Sequence, residues 1–224
     1  MNIKFTFLNK KKEIFSQYNK AFKKKYDFEK VLWSNKKSMI NRYKLFFQFI
    51  KYKKFKFWLD VGSGTGSIFS YHDRLNIKID SRLGIEINKN LYNFSIQKKY
   101  KKKTAFKNID IYNYKSMKKY DLISLIGVLQ NCAHTPEKFL NRIFLKLRKN
   151  GIVFLTTKNL LWERFLKNEK PAKIYSWFNP IYIKKIFQKN SIKVIKINSF
   201  DSQSLRILPI KKSSNFFILG KKIA

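Results

Sequence analysis

The segment Trp58-Leu59-Asp60-Val61-Gly62-Ser63-Gly64-Thr65-Gly66 limits what this chain can fold into more than any other stretch. An apolar run ends in an acid and passes into three glycines at alternate positions. Glycine lets the backbone turn sharply and lets its amides approach a ligand with no Cβ in the way, at the carboxyl end of a strand. A second apolar run closes on Gly84-Ile85-Glu86. That puts a carboxylate about 20 residues past the loop, where nucleotide-binding sheets use one to accept hydrogen bonds from two ribose hydroxyls.

The rest of the chain from Phe57 onward agrees. Short apolar runs alternate with helical patterns, the signature of a mainly parallel sheet covered by helices. The predicted strands are Phe57–Val61, Leu83–Ile87, Ala105–Ile109, Asp121–Leu129, Ile152–Thr156, Lys193–Ile197 and Phe216–Leu219. The last two have no long helix between them, which predicts an antiparallel pair at one edge. One helix is predicted with Thr135 as N-cap, Pro136 at its first position and Phe139, Leu140, Ile143, Phe144 and Leu147 inward, ending at Asn150-Gly151. Another opens at Asn179-Pro180.

Residues 1–56 read differently. Ile14, Phe15, Tyr18, Phe22 and Tyr26, then Met39, Ile40, Tyr43, Phe46, Phe47 and Ile50, repeat at helical spacing. No linker rich in Pro, Gly or Ser follows. The expected organisation is therefore a helical N-terminal segment, 1–56, acting as a cap on a domain spanning 57–224.

Charge enters here, because that segment carries 17 basic and 3 acidic side chains within a chain of formal net charge +37. Such a field attracts phosphate, so an RNA-binding role has to be weighed. Lys outnumbers Arg 43 to 7, however, whereas sites built to grip phosphate favour the bidentate guanidinium. Lys, Asn, Ile, Phe and Tyr are all abundant and all AT-rich in their codons, so the charge reads mainly as composition. The single cysteine, Cys132, allows neither an internal disulfide nor a zinc cluster. A reducing cytoplasm is the expected compartment, and no metal is expected. No apolar run is long enough to predict a membrane span.

In these motifs the chain resembles the class I S-adenosylmethionine-dependent methyltransferases from about Phe57 to the C-terminus. The loop is Gly62-x-Gly64-x-Gly66 followed by Ser67, without the last glycine of the nicotinamide fingerprint. Asn108-Ile109-Asp110, the strand starting at Tyr120-Asp121, the stretch Pro136 to Thr157, Ser176-Trp177-Phe178-Asn179-Pro180 and the terminal Asn215 to Lys221 also match. The last two resemble the small-molecule subgroup typified by the ubiquinone-biosynthesis O-methyltransferases. The resemblance implies a Rossmann-like, seven-stranded, mostly parallel sheet with an antiparallel edge hairpin and helices on both faces, plus the N-terminal helices. It implies S-adenosylmethionine as cofactor and a small or lipid-like acceptor. It assigns Asp60, Gly62, Ser63, Gly64 and Gly66 to the methionine part of the cofactor, Glu86 to the ribose and Asp110 to the adenine amino group. Gln130 and Asn131 fall near the sulfonium and the acceptor.

The subgroup usually has His where this chain has Asn131. His134 is then the expected general base, with His72 and Glu163 as alternatives. Asn131 in that place also motivates a non-catalytic scaffold as a further reading, beside an RNA methyltransferase guided by the basic segment. Asn179-Pro180-Ile181-Tyr182 resembles the motif of base-amine methyltransferases but lies too late in the chain. Cys132 lacks the preceding proline of a cytosine-C5 nucleophile and reads as a small packed side chain. Trp162, Phe165, Trp177 and Phe178 are equally expected to line the acceptor pocket or to pack in the core.

Overall fold

The computed structural model describes residues 5–6, 11–132, 134–167, 169 and 175–224. Ten strands and eight α-helices run in the order β1 (Phe5–Thr6), α1 (Lys11–Phe22), α2 (Asp27–Lys30), α3 (Lys36–Ile50), β2 (Phe55–Val61), α4 (Ser67–His72), β3 (Ile79–Glu86), α5 (Lys89–Ile96), β4 (Thr104–Asn108) and β5 (Tyr120–Ile126). The second half continues with α6 (Pro136–Phe144), β6 (Leu147–Lys158), α7 (Glu163–Leu166), β7 (Trp177–Phe178), α8 (Pro180–Lys189), β8 (Ile192–Phe200), β9 (Ile207–Leu208) and β10 (Asn215–Lys222). The main sheet is ordered β4-β3-β2-β5-β6-β10-β8-β9. Strands β2 to β6 pair in parallel, and β10 is antiparallel to both β6 and β8.

The sheet therefore has eight strands where seven are expected. The expected antiparallel partners, β8 and β10, do pair, but the two-residue β9 adds the outermost strand. It is too short to leave an apolar run in the sequence. Two other boundaries move. The strand expected to reach Leu129 stops at Ile126, because Gly127 turns the chain at φ +71° before a 3-10 turn over Leu129–Asn131. The helix expected to reach Asn150-Gly151 stops at Phe144. Leu147 already pairs with Tyr120, and the chain bulges through Asn150, at φ +63°, before the ladder resumes at Ile152 with Leu122.

Two apolar layers hold the sheet. One packs Phe139, Leu140, Ile143 and Phe144 of α6 and Ile183 and Phe187 of α8 on its first face. The other packs Met39, Phe46, Phe47 and Ile50 of α3 and Phe69 of α4 against Trp58, Phe154 and Phe217. Trp58 is fully buried, its ring 4.8 Å from Phe69 and 5.4 Å from Phe46, and fully burying such side chains contributes about 1.5–3 kcal/mol each. Since α3 shares this core with the sheet, the basic N-terminal region is built into the fold. Side chains fix where helices start: Asn35, Asn88 and Asn179 each accept backbone N–H bonds from the first turn that follows.

Strand order reverses at β2, with β3 and β4 on one side and β5 and β6 on the other. In open α/β sheets a crevice opens there, beyond the carboxyl ends of the strands.

Candidate functional site

A cleft lined by residues of the N-terminal helices and the strand ends occupies that position, the place where small-molecule sites of open α/β sheets form. Asp60, Gly62, Ser63, Gly64, Glu86, Asp110, Gln130, Asn131 and His134 all line it, so residues from the ends of four consecutive strands converge. Gly66 does not. It caps α4 at φ +69°, where a Cβ would stand 2.2 Å from the Tyr100 hydroxyl and 2.9 Å from Phe106. Its role in this structure is to let the loop fold over β4.

The loop geometry follows from the sequence. Gly62 and Gly64 adopt φ +69° and +55°, and a Cβ on Gly64 would lie 2.8 Å from Val31. The Gly64 N–H donates to Glu86 Oε2, and the Asn88 N–H donates to Oε1, both at 2.8 Å. The carboxylate thus ties the loop to the end of β3, and each oxygen keeps a further lone pair for a ligand. Asp60 accepts a hydrogen bond from the Ser124 hydroxyl, which itself accepts from the Trp58 indole at 2.8 Å. Burial pushes the Asp60 carboxyl up to about 7, against the lowering effect of Ser124, and the nearby Glu86 charge raises it further. Burial also raises Glu86. Despite 50 basic side chains, no cation among the described residues pairs with Asp60, Glu86 or Asp110.

Those observations test the cofactor the motifs imply. Two buried acids without a cation, glycine amides bare of side chains, and a buried Ser63 hydroxyl with no partner among the described residues match a ligand that carries positive charge, hydroxyl donors and a polar chain. The donor set fits S-adenosylmethionine. Asp110 faces the cleft, and its neighbours Asn108 and Asn113, which carry similar polar side chains, do not. Asn108 donates to the Glu86 and Ile87 carbonyls at 2.8 and 3.1 Å.

The N-terminal helices close the cleft from the other side, which sequence reading did not resolve residue by residue. Ile14, Phe15 and Tyr18 of α1, Trp33 and Tyr43 line it, as does Tyr175 before β7. The Asn131 amide donates to the Tyr18 hydroxyl at 2.8 Å, so the residue replacing the expected His is held by the cap. Burial, and then the Glu86 charge, raise the Tyr18 phenol. His134 lies with its ring 3.9 Å from that of Tyr112. Two alternatives for the base fall elsewhere. His72 is fully buried against Phe47 and held near Arg82, with its pKa lowered to about 4 by burial and then by Lys102 and Arg82. Glu163 pairs with Lys212 at 2.8 Å on the surface. The four aromatics also resolve to packing: Trp162, Phe165 and Trp177 stack edge to face, Phe178 joins the core, and none lines the cleft. Their neighbour Tyr175 does, a distinction one residue wide that a short aromatic run cannot encode.

A family model for the methyltransferase domain matches residues 33–197. The chain belongs to that family. No curated protein matches the sequence, but solved structures share the fold of this methyltransferase. The 1,6-didemethyltoxoflavin-N1-methyltransferase of Burkholderia thailandensis, with 1,6-didemethyltoxoflavin and S-adenosylhomocysteine bound, superposes with a TM-score of 0.67 at 11% identity, covering 96% of this chain and 88% of that one. The N-methyltransferase NodS of Bradyrhizobium japonicum WM9, bound to S-adenosylhomocysteine, gives 0.66 at 10%, covering 93% and 98%. The plantazolicin methyltransferase BpumL gives 0.60 at 17%, covering 97% and 100%.

Proposed function

We propose that this methyltransferase uses S-adenosylmethionine to methylate a small or lipid-like acceptor held between the sheet and the N-terminal helices. The carrying observation is the pair of buried, cation-free acids beside the glycine loop, Asp60 and Glu86, in a chain otherwise crowded with lysine. When bound between the glycine loop and Glu86, the cofactor would supply a methyl group activated by a sulfonium sulfur, which would keep the bonding electron pair as an acceptor lone pair bonds to the methyl carbon.

The chain's own residues bind, align and deprotonate. Asp60, Gly62, Ser63 and Gly64 hold the methionine end, Glu86 the ribose, and Asp110 the adenine, with Gln130 at the sulfur. Asn131, fixed by Tyr18, positions the acceptor. His134 takes the acceptor's proton where one is lost. Holding reactants in line at about 3–3.5 Å supplies much of the rate, so a base is needed only for a protonated acceptor. The 1,6-didemethyltoxoflavin-N1-methyltransferase, which holds a small-molecule acceptor and spans 96% of this chain, supports this acceptor class.

Calorimetric titration with S-adenosylhomocysteine tests the cofactor, with micromolar-class binding expected and no binding decisive against it. Labelled methyl transfer into a small-molecule extract but not into total RNA is the expected outcome for the acceptor. Transfer to RNA alone would overturn that assignment.

A further inference from the structure

Behind the aromatic wall of the cleft stand two cations that no acid balances. Arg42 of α3 is 4% exposed. Its guanidinium donates to the Ser38 carbonyl at 2.9 Å and hydroxyl at 2.5 Å and to Asn215 Oδ1 at 3.0 Å, all uncharged, and lies 4.3 Å from the Trp33 ring centroid. Lys158, the last residue of β6, is half-buried. Its Nζ sits 4.9 Å from the ring of Tyr175 and 5.4 Å from that of Trp177, and no hydrogen bond or ion pair reaches it from the described residues.

The two belong to one cluster. Lys158 is the cross-strand partner of Asn215, so their side chains share a face, and Asn215 is the residue that Arg42 grips. All 13 Asp and Glu residues lie among the described residues. Asp73 is committed to Arg82, Asp121 to Arg148, Asp27 to Lys98 and Glu163 to Lys212, and none pairs with Arg42 or Lys158. Leaving a partly buried ammonium unpaired is costly. The cost shows in Lys158, which burial and then the Arg42 charge lower to about 8, and in Arg42, which burial lowers to about 10. Arg42 and Lys158 do not themselves line the cleft, but Trp33 and Tyr175, each stacked on one of them, do. Arg42 is satisfied by neutral acceptors, whereas Lys158 has a bare ammonium.

We propose that the acceptor is a small molecule bearing an oxyanion, a carboxylate or a phosphate, received by Lys158, with Arg42 reinforcing the field and Trp33 and Tyr175 packing on its body. This rests on the methyltransferase reading above. It names the substrate's charge class and makes Lys158 a specificity-determining residue.

Benzoate, phenyl phosphate and neutral benzyl alcohol, titrated calorimetrically into the full chain with and without saturating S-adenosylhomocysteine, test it. At least one of the two anions should bind at least about tenfold more tightly than benzyl alcohol, and which one does so separates carboxylate from phosphate. The preference should vanish in Lys158→Met and return in Lys158→Arg, while affinity for S-adenosylhomocysteine stays the same in all three proteins. An anion preference that survives Lys158→Met, or none in the unmodified chain, overturns the proposal. Failure of S-adenosylhomocysteine to bind would instead overturn the cofactor reading, and the anion preference is then judged on the protein alone.

Discussion

One wall of the cleft holds acids without cations; the layer behind the opposite wall holds cations without acids. Asp60 and Glu86 are buried beside the glycine loop with hydrogen-bond donors but no positive partner. Arg42 and Lys158 sit behind Trp33 and Tyr175 with acceptors or aromatic faces but no negative partner. Buried cations elsewhere are met by an acceptor, Arg82 by Asp73 at 2.8 Å and Lys146 by the Ser116 carbonyl. Asp60 and Glu86 line the cleft without a cation, and Lys158 lies behind Tyr175, itself a lining residue, with no hydrogen bond or ion pair from the described residues. Opposite deficits, one in the cleft and one behind its wall, are what the proposed meeting of a cationic cofactor with an anionic acceptor requires.

The largest break in this comparison comes at the loop. Gly64→Arg forces a side chain into a φ of +55° and into Val31, so binding of S-adenosylhomocysteine should fall by at least about a hundredfold, roughly 2.7 kcal/mol, as read by calorimetry. Glu86→Ala removes the acceptor of two buried backbone amides and the ribose partner together. A loss of about 1.5–3 kcal/mol in cofactor-product affinity is expected.

Protonation sharpens the acidic side. Asp60 titrates near 7 when folded against 3.8 ordinarily, so the folded protein keeps a proton that the unfolded chain releases. Stability of the free protein should therefore decline as pH rises from about 4 to 7 and level off above 7. The α-ammonium of S-adenosylhomocysteine, placed at the methionine end of the site beside Asp60, favours the ionised acid, so the ligand should bind about five- to tenfold more weakly at pH 6 than at pH 8. Calorimetry at the two pH values checks this, and Asp60→Asn should flatten the difference.

The smallest effect is on the cationic side. Lys158→Met replaces an unpaired, half-buried ammonium with an apolar chain of similar length, and should stabilise the free protein by about 1 kcal/mol, a rise of about 2–4 °C in Tm for a chain of this size. Destabilisation would mean that Lys158 has a balancing partner and that the contrast between the two walls is false.

The acidic wall was legible in the sequence and the basic one was not, for a physical reason. Asp60, the glycines and Glu86 lie in local motifs at strand ends, where the chemistry is set by neighbours in the chain. Arg42 and Lys158 are 116 positions apart and meet through the β6–β10 register and the packing of α3. Against a background of 50 basic residues, two unpaired ones carry no local mark. The same division runs through the fold. The parallel strands stood out as apolar runs, whereas the end of β5 depended on Gly127 leaving the ladder and the end of α6 on Leu147 joining one. Tyr18 reads as an ordinary apolar-face aromatic of a helix, and only the placement of α1 over the sheet brings it to the cleft.

That closure rests partly on Gly127, where an added Cβ would stand 2.3 Å from the Trp33 ring. The indole occupies the space the glycine vacates, so neither position is free to vary alone. A chimaera that grafts the helices of another methyltransferase onto this sheet would have to carry its own partner for residue 127. Segment and sheet thus fit as a matched set, and a graft that changes one without the other should misplace the helices over the cleft.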